Sequence, residues 1–341
     1  MPETALIAMS GGVDSSAAVF LLREKGFDCR GVTFKLYDDA AENDAREAAS
    51  RLGITHHVLD LRETFRDKVI LPFIETYEKG DTPNPCVSCN RHIKFAFNLF
   101  RAAGLIFDIY ATGHYAQIEK SGSRWLLKKA KDQKKDQSYV LFSLDQEKLA
   151  RLCFPLGGMT KSETRQIALE HNLINAGKKE SQDICFVSDG DHGVFIEEYT
   201  GKRYPHGDIL GGDGTVIGRH NGIVRYTLGQ RRGLGVALNQ PLYVSALDAA
   251  RNTVRLGPES SLYSKTLVAD RINLIACDSL EKPVKVKVKT RYMQREHPAL
   301  AVQRGPDEIH IEFEEAQRAV TPGQAAVLYD GDIVIGGGII R

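Results

Sequence analysis

Residues 5–26 read ALIAMSGGVDSSAAVFLLREKG. ALIAM is an apolar run of strand length, SGGVD is a turn with paired glycines, and SSAAVFLLREKG has the make-up of a helix that Gly26 ends. A strand that passes through a glycine turn into a helix is the opening unit of a parallel sheet. Its turn is also where such a sheet binds anions, because glycine allows close backbone approach and the amides of the helix N-terminus point at the ligand. The loop matches neither common phosphate motif. A dinucleotide fingerprint needs three spaced glycines, and a nucleotide-hydrolase loop needs a lysine before its serine or threonine, whereas this chain offers Asp14. Ser10, Asp14 and Ser15 are also good helix caps. With phosphate bound, Asp14 is placed to help hold Mg²⁺ against the anion.

Further along, CRGVTF reads as a second strand, AENDAREAASRLG as a helix and THHVLDL as a third strand, which predicts a doubly wound, Rossmann-like parallel sheet. ETFRDKVILPFIETYEKG and NRHIKFAFNLFRAAG read as two further helices, and FDIYATGHYAQI as a strand running into a polar loop. EKSGSRWLLKKAKDQKKDQSYV then has turn signals and a dense lysine run, predicting a hairpin and an exposed basic loop. In TKSE, Thr160 and Glu163 form a capping box ahead of a helix. From about residue 200 the chain becomes glycine-rich with short β segments. From about 265, TLVADRINLI, VKVKVKT, EIHIEFEEA and AAVLYDGDIVIGGGII alternate with period two, as in a small barrel. We therefore expect three units: an α/β domain over residues 1–198, a small β-rich middle domain over 199–264 and a C-terminal β-barrel over 265–341.

The composition narrows the function classes. Of 341 residues, 42% are hydrophobic and 26% charged, and the net charge is only +1, so a nucleic-acid surface has to be local. MPETALIAMSGG lacks a basic region ahead of its short apolar run and is not read as a secretory signal. No 18 apolar residues run together. The 6 cysteines are too sparse for a secreted disulfide framework, so a cytoplasmic location is expected.

Two cysteines stand three apart in DTPNPCVSCNRHIKF. Prolines stiffen the approach to Cys86 and Cys89, and Asn90 can cap the helix that follows, so Cys89 is expected at a helix N-terminus with a stabilised thiolate. Zinc, a redox pair, an iron–sulfur cluster and a nucleophile all suit this spacing. Cys29, Cys153 and Cys277 match no motif and are read as buried small apolar residues. His56 and His57 point to opposite faces of a strand and do not share a metal. Lys128, Lys129, Lys131, Lys134 and Lys135 crowd one loop, Arg231 and Arg232 another, and Lys285, Lys287, Lys289 and Arg291 alternate with Val284, Val286 and Val288, forming a stripe that could track phosphates.

SGGVDSS resembles the pyrophosphate loop of the ATP pyrophosphatase (PP-loop) superfamily, whose members adenylate a substrate oxygen. Taken with TPNPCVSCN, ATGHY at 111–115, KDQSYVL at 135–141, FPLGGMTK at 154–161, KESQDICF at 179–186, YTLGQRRGLG at 226–235, RY at 291–292 and VTPGQAAVLYDGDIVIGGG at 320–338, in that order, the whole chain resembles the tRNA-specific 2-thiouridylases. The resemblance implies that ATP, with Mg²⁺, adenylates the C2 oxygen of the wobble uridine in the anticodon stem-loop of a tRNA, and that sulfur then displaces AMP. It implies Cys89 as the nucleophile, Cys185 as the persulfide carrier and Asp14 at the pyrophosphate. It implies ATP contacts at Ala8, Met9, Ser10, Gly11, Gly12, Val13, Asp14, Ser15, Phe34 and Gly113. It also implies tRNA contacts at Asn84, Pro85, Cys86, His114, Lys135, Asp136, Gln137, Arg291, Tyr292 and Gln324.

Many members have aspartate where this chain has Cys86. Three thiols, Cys86, Cys89 and Cys185, would suit a 4Fe–4S cluster with one open iron as well as they suit a persulfide route. The sulfur donor is expected to be a relay protein or a cysteine desulfurase. Two rivals stand beside this reading: another ATP pyrophosphatase ligase, and a non-catalytic RNA-binding protein with a structural zinc site.

Overall fold

The computed structural model describes residues 2–37, 40–173, 184–187, 190–236 and 240–341. The chain opens with β1 (Thr4–Ala8), α1 (Val13–Glu24), β2 (Asp28–Lys35), α2 (Ala40–Leu52) and β3 (Thr55–Asp60), the alternation that the sequence predicts. Next come α3 (Arg62–Phe65), α4 (Leu71–Glu78), α5 (Pro85–Cys89), α6 (Phe97–Ala102) and β4 (Ile109–Ala111). A hairpin of β5 (Gln117–Ser121) and β6 (Arg124–Lys128) follows. The first unit then runs through α7 (Ser138–Leu141), α8 (Gln146–Leu149), β7 (Leu152–Cys153) and α9 (Lys161–Glu170). Its sheet has the order β3-β2-β1-β4-β7, parallel throughout, with Leu6, Ile7, Val32 and Tyr110 fully buried.

Two expected helices are interrupted. A π-helical turn over Arg66–Ile70 joins α3 to α4 just ahead of Pro72, which has no amide to give to the regular ladder. The NRHIKFAFNLF segment does not start a helix at Asn90. Its helix starts at Pro85, passes Cys89 into a π turn over Asn90–Lys94, and breaks at Phe95 and Ala96 before α6. The break has a packing cause: Phe95, Phe97 and Phe100 are all buried around Tyr110, and residues two apart cannot share one face of an unbroken helix. Asn90 accordingly caps nothing; its amide nitrogen donates to the Val140 carbonyl at 2.9 Å.

FDIYATGHYAQI is not one strand either. β4 stops at Ala111, residues 112–116 form a loop, and β5 belongs to a different sheet. The hairpin is as predicted, and Lys131 and Lys134 of the basic loop after it are exposed as expected, but part of the lysine run is paired within the protein. Lys129 is buried and pairs with Glu296 at 2.7 Å, Lys128 reaches Glu119 at 2.8 Å, and Lys131 reaches Glu163 at 2.9 Å.

The middle unit consists of α10 (His192–Thr200) and a sheet of β8 (Gly207–Leu210), β9 (Val216–His220), β10 (Tyr243–Asp248) and β11 (Thr253–Gly257), ordered β10-β11-β8-β9. Its Ile209, Val244, Val254 and Leu256 share a core with Phe65 and Phe73 of the first unit. The last unit runs β12 (Tyr263–Leu274), β13 (Val284–Lys289), β14 (His297–Gln303), β15 (Glu308–Arg318), β16 (Ala325–Asp330) and β17 (Ile333–Ile340). Antiparallel pairs in the order β12-β15-β14-β13-β16-β17 close through β12–β17 into a barrel, and β6 joins its outside through Lys128 and Ile333. β14 is a strand that the sequence reading does not contain, although HPALAVQ buries Ala299 and Ala301 in alternation. Along β13 the valines point inward and Lys285 and Lys287 outward, as the alternation predicts. Cys29 is buried, as expected, whereas Cys153 and Cys277 are only partly so.

Candidate active site

β1 is the central strand of its sheet, with β2 and β4 on either side, so the loop after it opens at the carboxyl edge where the winding reverses. Met9 fixes the loop: its N–H donates to the Val32 carbonyl at 2.8 Å, and its carbonyl accepts from Thr33 Oγ1 at 2.8 Å. Gly11 adopts φ +68°, and a Cβ there would lie 2.2 Å from Asp44 Cβ, so only glycine lets the turn close on α2. Gly12 is the N-cap of α1, and no side chain caps the helix; the Ser15 and Ser16 hydroxyls instead donate to the Gly12 carbonyl. The expected capping by Ser10, Asp14 or Ser15 is therefore not what the loop does. Ser10 is exposed and Ala8, Gly12 and Asp14 are partly so, while Met9, Gly11, Val13 and Ser15 are buried and could meet a ligand mainly through their backbone.

Asp14 is already engaged. Lys161 Nζ lies 2.7 Å from its Oδ1 and 2.8 Å from its Oδ2, and the Tyr115 hydroxyl donates to Oδ1 at 2.9 Å. Lys161 ends the FPLGGMTK motif, to which the sequence reading gives no individual role. The available signal was electrostatic: Lys161 is the first residue of α9, at the positive end of the helix dipole, where a cation is unfavourable unless an anion compensates it. Gly113 backs onto this group, since a Cβ on it would lie 3.0 Å from both the carbonyl carbon and the Cβ of Asp14. Phe34 is half-buried near the end of β2, its ring stacked on Phe100 at 5.5 Å.

Lys94 links the surroundings of the ATGHY loop to those of Cys89. The His114 ring is 5.7 Å from that of Phe95, which follows Lys94. Lys94 bears on both His114 and Cys89. Cys89 ends α5 and is buried in one apolar cluster with Phe65, Phe73, Ile93 and Phe186. This overturns the expectation of a helix N-terminus and a stabilised thiolate: burial pushes the Cys89 thiol up to about 12, Lys94 opposes the shift, and Cys185 and Cys86 add to it. Cys86 and Cys185 are exposed. Phe186 packs its ring 5.6 Å from Phe65 and 5.2 Å from Phe73, which anchors the turn that carries Cys185 beside the same cluster. Residues 179–183 of the KESQDICF motif lie outside the described residues. All six cysteines are free. Among the described residues, no three His, Cys, Asp or Glu side chains stand together as a metal-binding group. His56 instead bonds the Thr33 hydroxyl at 2.8 Å.

The barrel reaches the loop ahead of the thiols. Gln324 Nε2 donates to the Thr82 and Pro83 carbonyls at 3.0 Å each, and the Thr82 N–H donates to the Pro322 carbonyl at 2.9 Å. Asn84 hydrogen-bonds the Tyr139 side chain, and Pro85, the first residue of α5, is buried. Arg291 Nη2 donates to the Leu228 and Ala319 carbonyls at 3.1 and 3.3 Å and to Thr321, tying the glycine-rich middle loop to the barrel. Tyr292 lies 6.1 Å from Tyr139, with Lys289 Nζ over both rings.

Several expected tRNA contacts therefore have internal partners. Asp136 is buried, accepting from the amide of Ala130 and from the Ser138 hydroxyl, and Gln137 accepts from the Tyr115 amide. His114 is buried against Thr112 Oγ1 at 2.7 Å, and burial holds it well below the usual histidine range. Lys135 is only partly exposed.

The chain matches three family models in succession: a "tRNA methyl transferase HUP domain" over residues 3–189, a "tRNA methyl transferase PRC-barrel domain" over 193–258 and an "Aminomethyltransferase beta-barrel domain" over 264–340. It is 44% identical to the tRNA-specific 2-thiouridylase MnmA of Clostridioides difficile strain 630, covering 100% of this chain and 99% of that one. It is 44% identical to the protein of the same name from Acetivibrio thermocellus, covering 98% of each. Among solved structures, a predicted subunit of tRNA methyltransferase from Methanocaldococcus jannaschii aligns at 19% identity and a TM-score of 0.35, over 58% of this chain and 89% of that one.

Proposed function

The chain belongs to the tRNA-specific 2-thiouridylase family, and we propose how its residues divide the ATP-dependent 2-thiolation of tRNA among themselves. The reading we favour is transfer of sulfur, in spite of the methyl-transfer wording of the domain descriptions. The observation that carries it is an uncapped glycine turn bearing Asp14, which the ATGHY loop meets through Tyr115, in one chain with a buried Cys89 on which the charges of Cys86 and Cys185 bear. A glycine turn at a helix N-terminus suits a nucleotide's phosphates, and an exposed Cys185 with a buried Cys89 suits the loading and onward transfer of sulfur.

In the proposed first step the C2 oxygen of the wobble uridine attacks the α-phosphorus of ATP. The bond to the β-phosphate breaks, and pyrophosphate leaves with its electron pair onto the amides at the start of α1. Mg²⁺ supplies charge neutralisation when bound, with Asp14 as its protein ligand. In the second step the terminal sulfur of a Cys185 persulfide attacks C2 and AMP leaves, joining Cys185 to the base through a disulfide. Cys89 then attacks Cys185 Sγ, releasing 2-thiouridine and leaving a Cys89–Cys185 disulfide that a dithiol reductant reduces with two electrons. Exposure of Cys185 fits loading by a donor protein, a sulfur relay or a cysteine desulfurase, and burial of Cys89 fits a thiol met only after the base is in place. The thiols do not form a ligand group as they stand, so no step is routed through a cluster.

Of the expected tRNA contacts, exposed Cys86 and half-buried Tyr292 and Lys135 are the best placed to meet RNA. Asp136, Gln137, Arg291 and Gln324 act through the loops that they hold. The chain works as three units divided near residues 198 and 264. No described helix is long and apolar enough to cross a membrane, and we place the work in the cytoplasm, where its tRNA is.

The test is anaerobic incubation with ATP, unmodified tRNA and a protein persulfide, followed by nucleoside mass spectrometry. AMP and 2-thiouridine in equal amounts are expected, and neither from Cys185→Ser. Thiolation by Cys185→Ser with the same donor would refute the carrier role, and full loss of activity on iron removal would restore the cluster.

A further inference from the structure

The Thr33 hydroxyl joins two elements that are distant in the sequence. It donates to the Met9 carbonyl at 2.8 Å, and His56 Nε2 lies 2.8 Å from the same oxygen. A hydroxyl has a single proton, and this one goes to Met9, so toward the ring the oxygen accepts and His56 carries its proton on Nε2. A relay of hydrogen bonds therefore runs from His56 on β3 through Thr33 on β2 to Met9 in the turn after β1. Thr33 is 2% exposed, which keeps water from competing for these bonds. Gly31 clears the space for it: it is the partner of His56 in the β2–β3 register, and a Cβ on it would lie 2.6 Å from Met9 Sδ and 3.1 Å from His56 Cδ2.

The relay ends on a peptide that belongs to the phosphate turn. In a trans peptide the carbonyl and the next N–H point in opposite directions, so holding the Met9 carbonyl on Thr33 turns the Ser10 N–H away from β2. The Met9 N–H is held too, by the Val32 carbonyl at 2.8 Å. Ser10 itself is exposed, and its N–H reaches Ser15 Oγ only at 3.5 Å, the far limit of a hydrogen bond. The Ser15 hydroxyl gives its own proton to the Gly12 carbonyl at 3.0 Å.

We propose that His56 and Thr33 are positioning residues for the phosphate turn: their relay fixes the Met9–Ser10 peptide so that the Ser10 N–H is presented to the pyrophosphate half of ATP before the nucleotide arrives. This rests on the reading of the turn as an ATP site. Without the Thr33 hydroxyl the peptide is released to rotate, and a carbonyl oxygen facing the site would repel the phosphates that the N–H attracts. Binding would then include the cost of turning the peptide back. The relay acts on the pyrophosphate half of the nucleotide and leaves its base and sugar alone.

The test separates the pyrophosphate from the rest of the nucleotide. α,β-Methylene-ATP with Mg²⁺, and AMP, are titrated by calorimetry into the full-length protein and into Thr33→Val, Thr33→Ser and His56→Leu. Thr33→Val keeps the shape of the side chain without its donor. It is expected to bind the ATP analogue about tenfold more weakly, with its AMP affinity within about twofold of the parent protein's. Thr33→Ser restores the hydroxyl and should recover the analogue affinity, and His56→Leu should fall between the two. An analogue affinity of Thr33→Val within about twofold of the parent protein's would overturn the relay, and so would an equal loss for AMP, which marks a merely structural role. An unchanged affinity in His56→Leu would overturn the part given to His56. Failure of the parent protein to bind the analogue would overturn the ATP reading instead. If Thr33→Val does not fold, a structure of the parent protein with the analogue and Mg²⁺ decides: the Ser10 N–H on a phosphate oxygen, with Thr33 still on Met9, supports the relay, and a Ser10 N–H directed elsewhere overturns it.

Discussion

Gln324, in the turn before β16 of the barrel, donates its side-chain amide to the Thr82 carbonyl at 3.0 Å, so the last domain holds the loop that leads into the thiol helix of the first. The same nitrogen reaches Pro83, and Gly323 leaves room for the contact, since a Cβ there would be 2.8 Å from the Thr82 carbonyl oxygen. Replacing Gln324 by alanine removes the partner of two partly buried carbonyls, at a cost of about 1 kcal/mol. Hydrogen exchange over residues 82–89 is expected to accelerate while binding of an ATP analogue is retained. Unchanged exchange in that segment would show that the barrel does not set the loop.

The thiols should differ in reactivity. Cys89 is buried and its thiol is pushed up to about 12, so at neutral pH it is protonated and inert, whereas Cys86 and Cys185 are exposed. Brief alkylation with iodoacetamide followed by peptide mass spectrometry should label Cys86 and Cys185 first. Labelling of Cys89 should rise steeply as the pH is raised. Equal rates at the three sites would contradict the buried setting of Cys89.

Acid should weaken the fold through its histidines. Burial lowers His114, His56, His92, His192 and His220 below the ordinary value of 6.5. As the pH falls through 6.5 the unfolded chain takes up protons that the folded chain refuses, so stability is full above that value and is lost below it. The melting temperature is expected to fall between about pH 7 and pH 5, with a shallower slope in His114→Gln. An identical slope in that variant would remove His114 from the explanation.

Not every lysine that looks basic in the sequence should meet RNA. Lys285 and Lys287 are exposed on β13, while Lys128, Lys129 and Lys131 are in ion pairs. In filter-binding titrations against salt, Lys285→Ala and Lys287→Ala should each reduce the slope of log K against log salt by about 0.9, and Lys128→Ala should leave it unchanged. The reverse ranking would put the RNA on the hairpin side.

Gly11→Ala tests the phosphate turn directly. With φ at +68° and Asp44 Cβ 2.2 Å from the new methyl group, the turn cannot close as it stands. Loss of nucleotide-analogue binding with the melting temperature lowered by only a few degrees is expected, and unimpaired binding would show that the turn has another use.

Local chemistry makes much of this legible. The strand, glycine turn and helix of residues 5–26 depend on neighbours in sequence, and so do the Thr160 capping box and the inward valines of β13; each appears as the sequence predicts. β14 carries the same alternation but is harder to read, because His297 and Pro298 make a poor start to a strand. The helix through Cys89 departs from its expected bounds for a different reason. Its start at Pro85 and its break at Phe95 answer to the packing of three phenylalanines around Tyr110, which no local rule contains.

Backbone preferences and period-two or helical patterning act over a few residues, so the parallel α/β unit, the barrel and the types of reactive group can be read from the chain alone. What surrounds those groups is settled by folding, since charge and burial at a site are sums over residues that are distant in the chain. Lys161 lies 147 positions from the carboxylate that it pairs with, and the bond from Gln324 to Thr82 spans 242. Cys89, read from its neighbours as an activated thiolate, is a buried thiol because Phe65, Phe73 and Phe186 close over it.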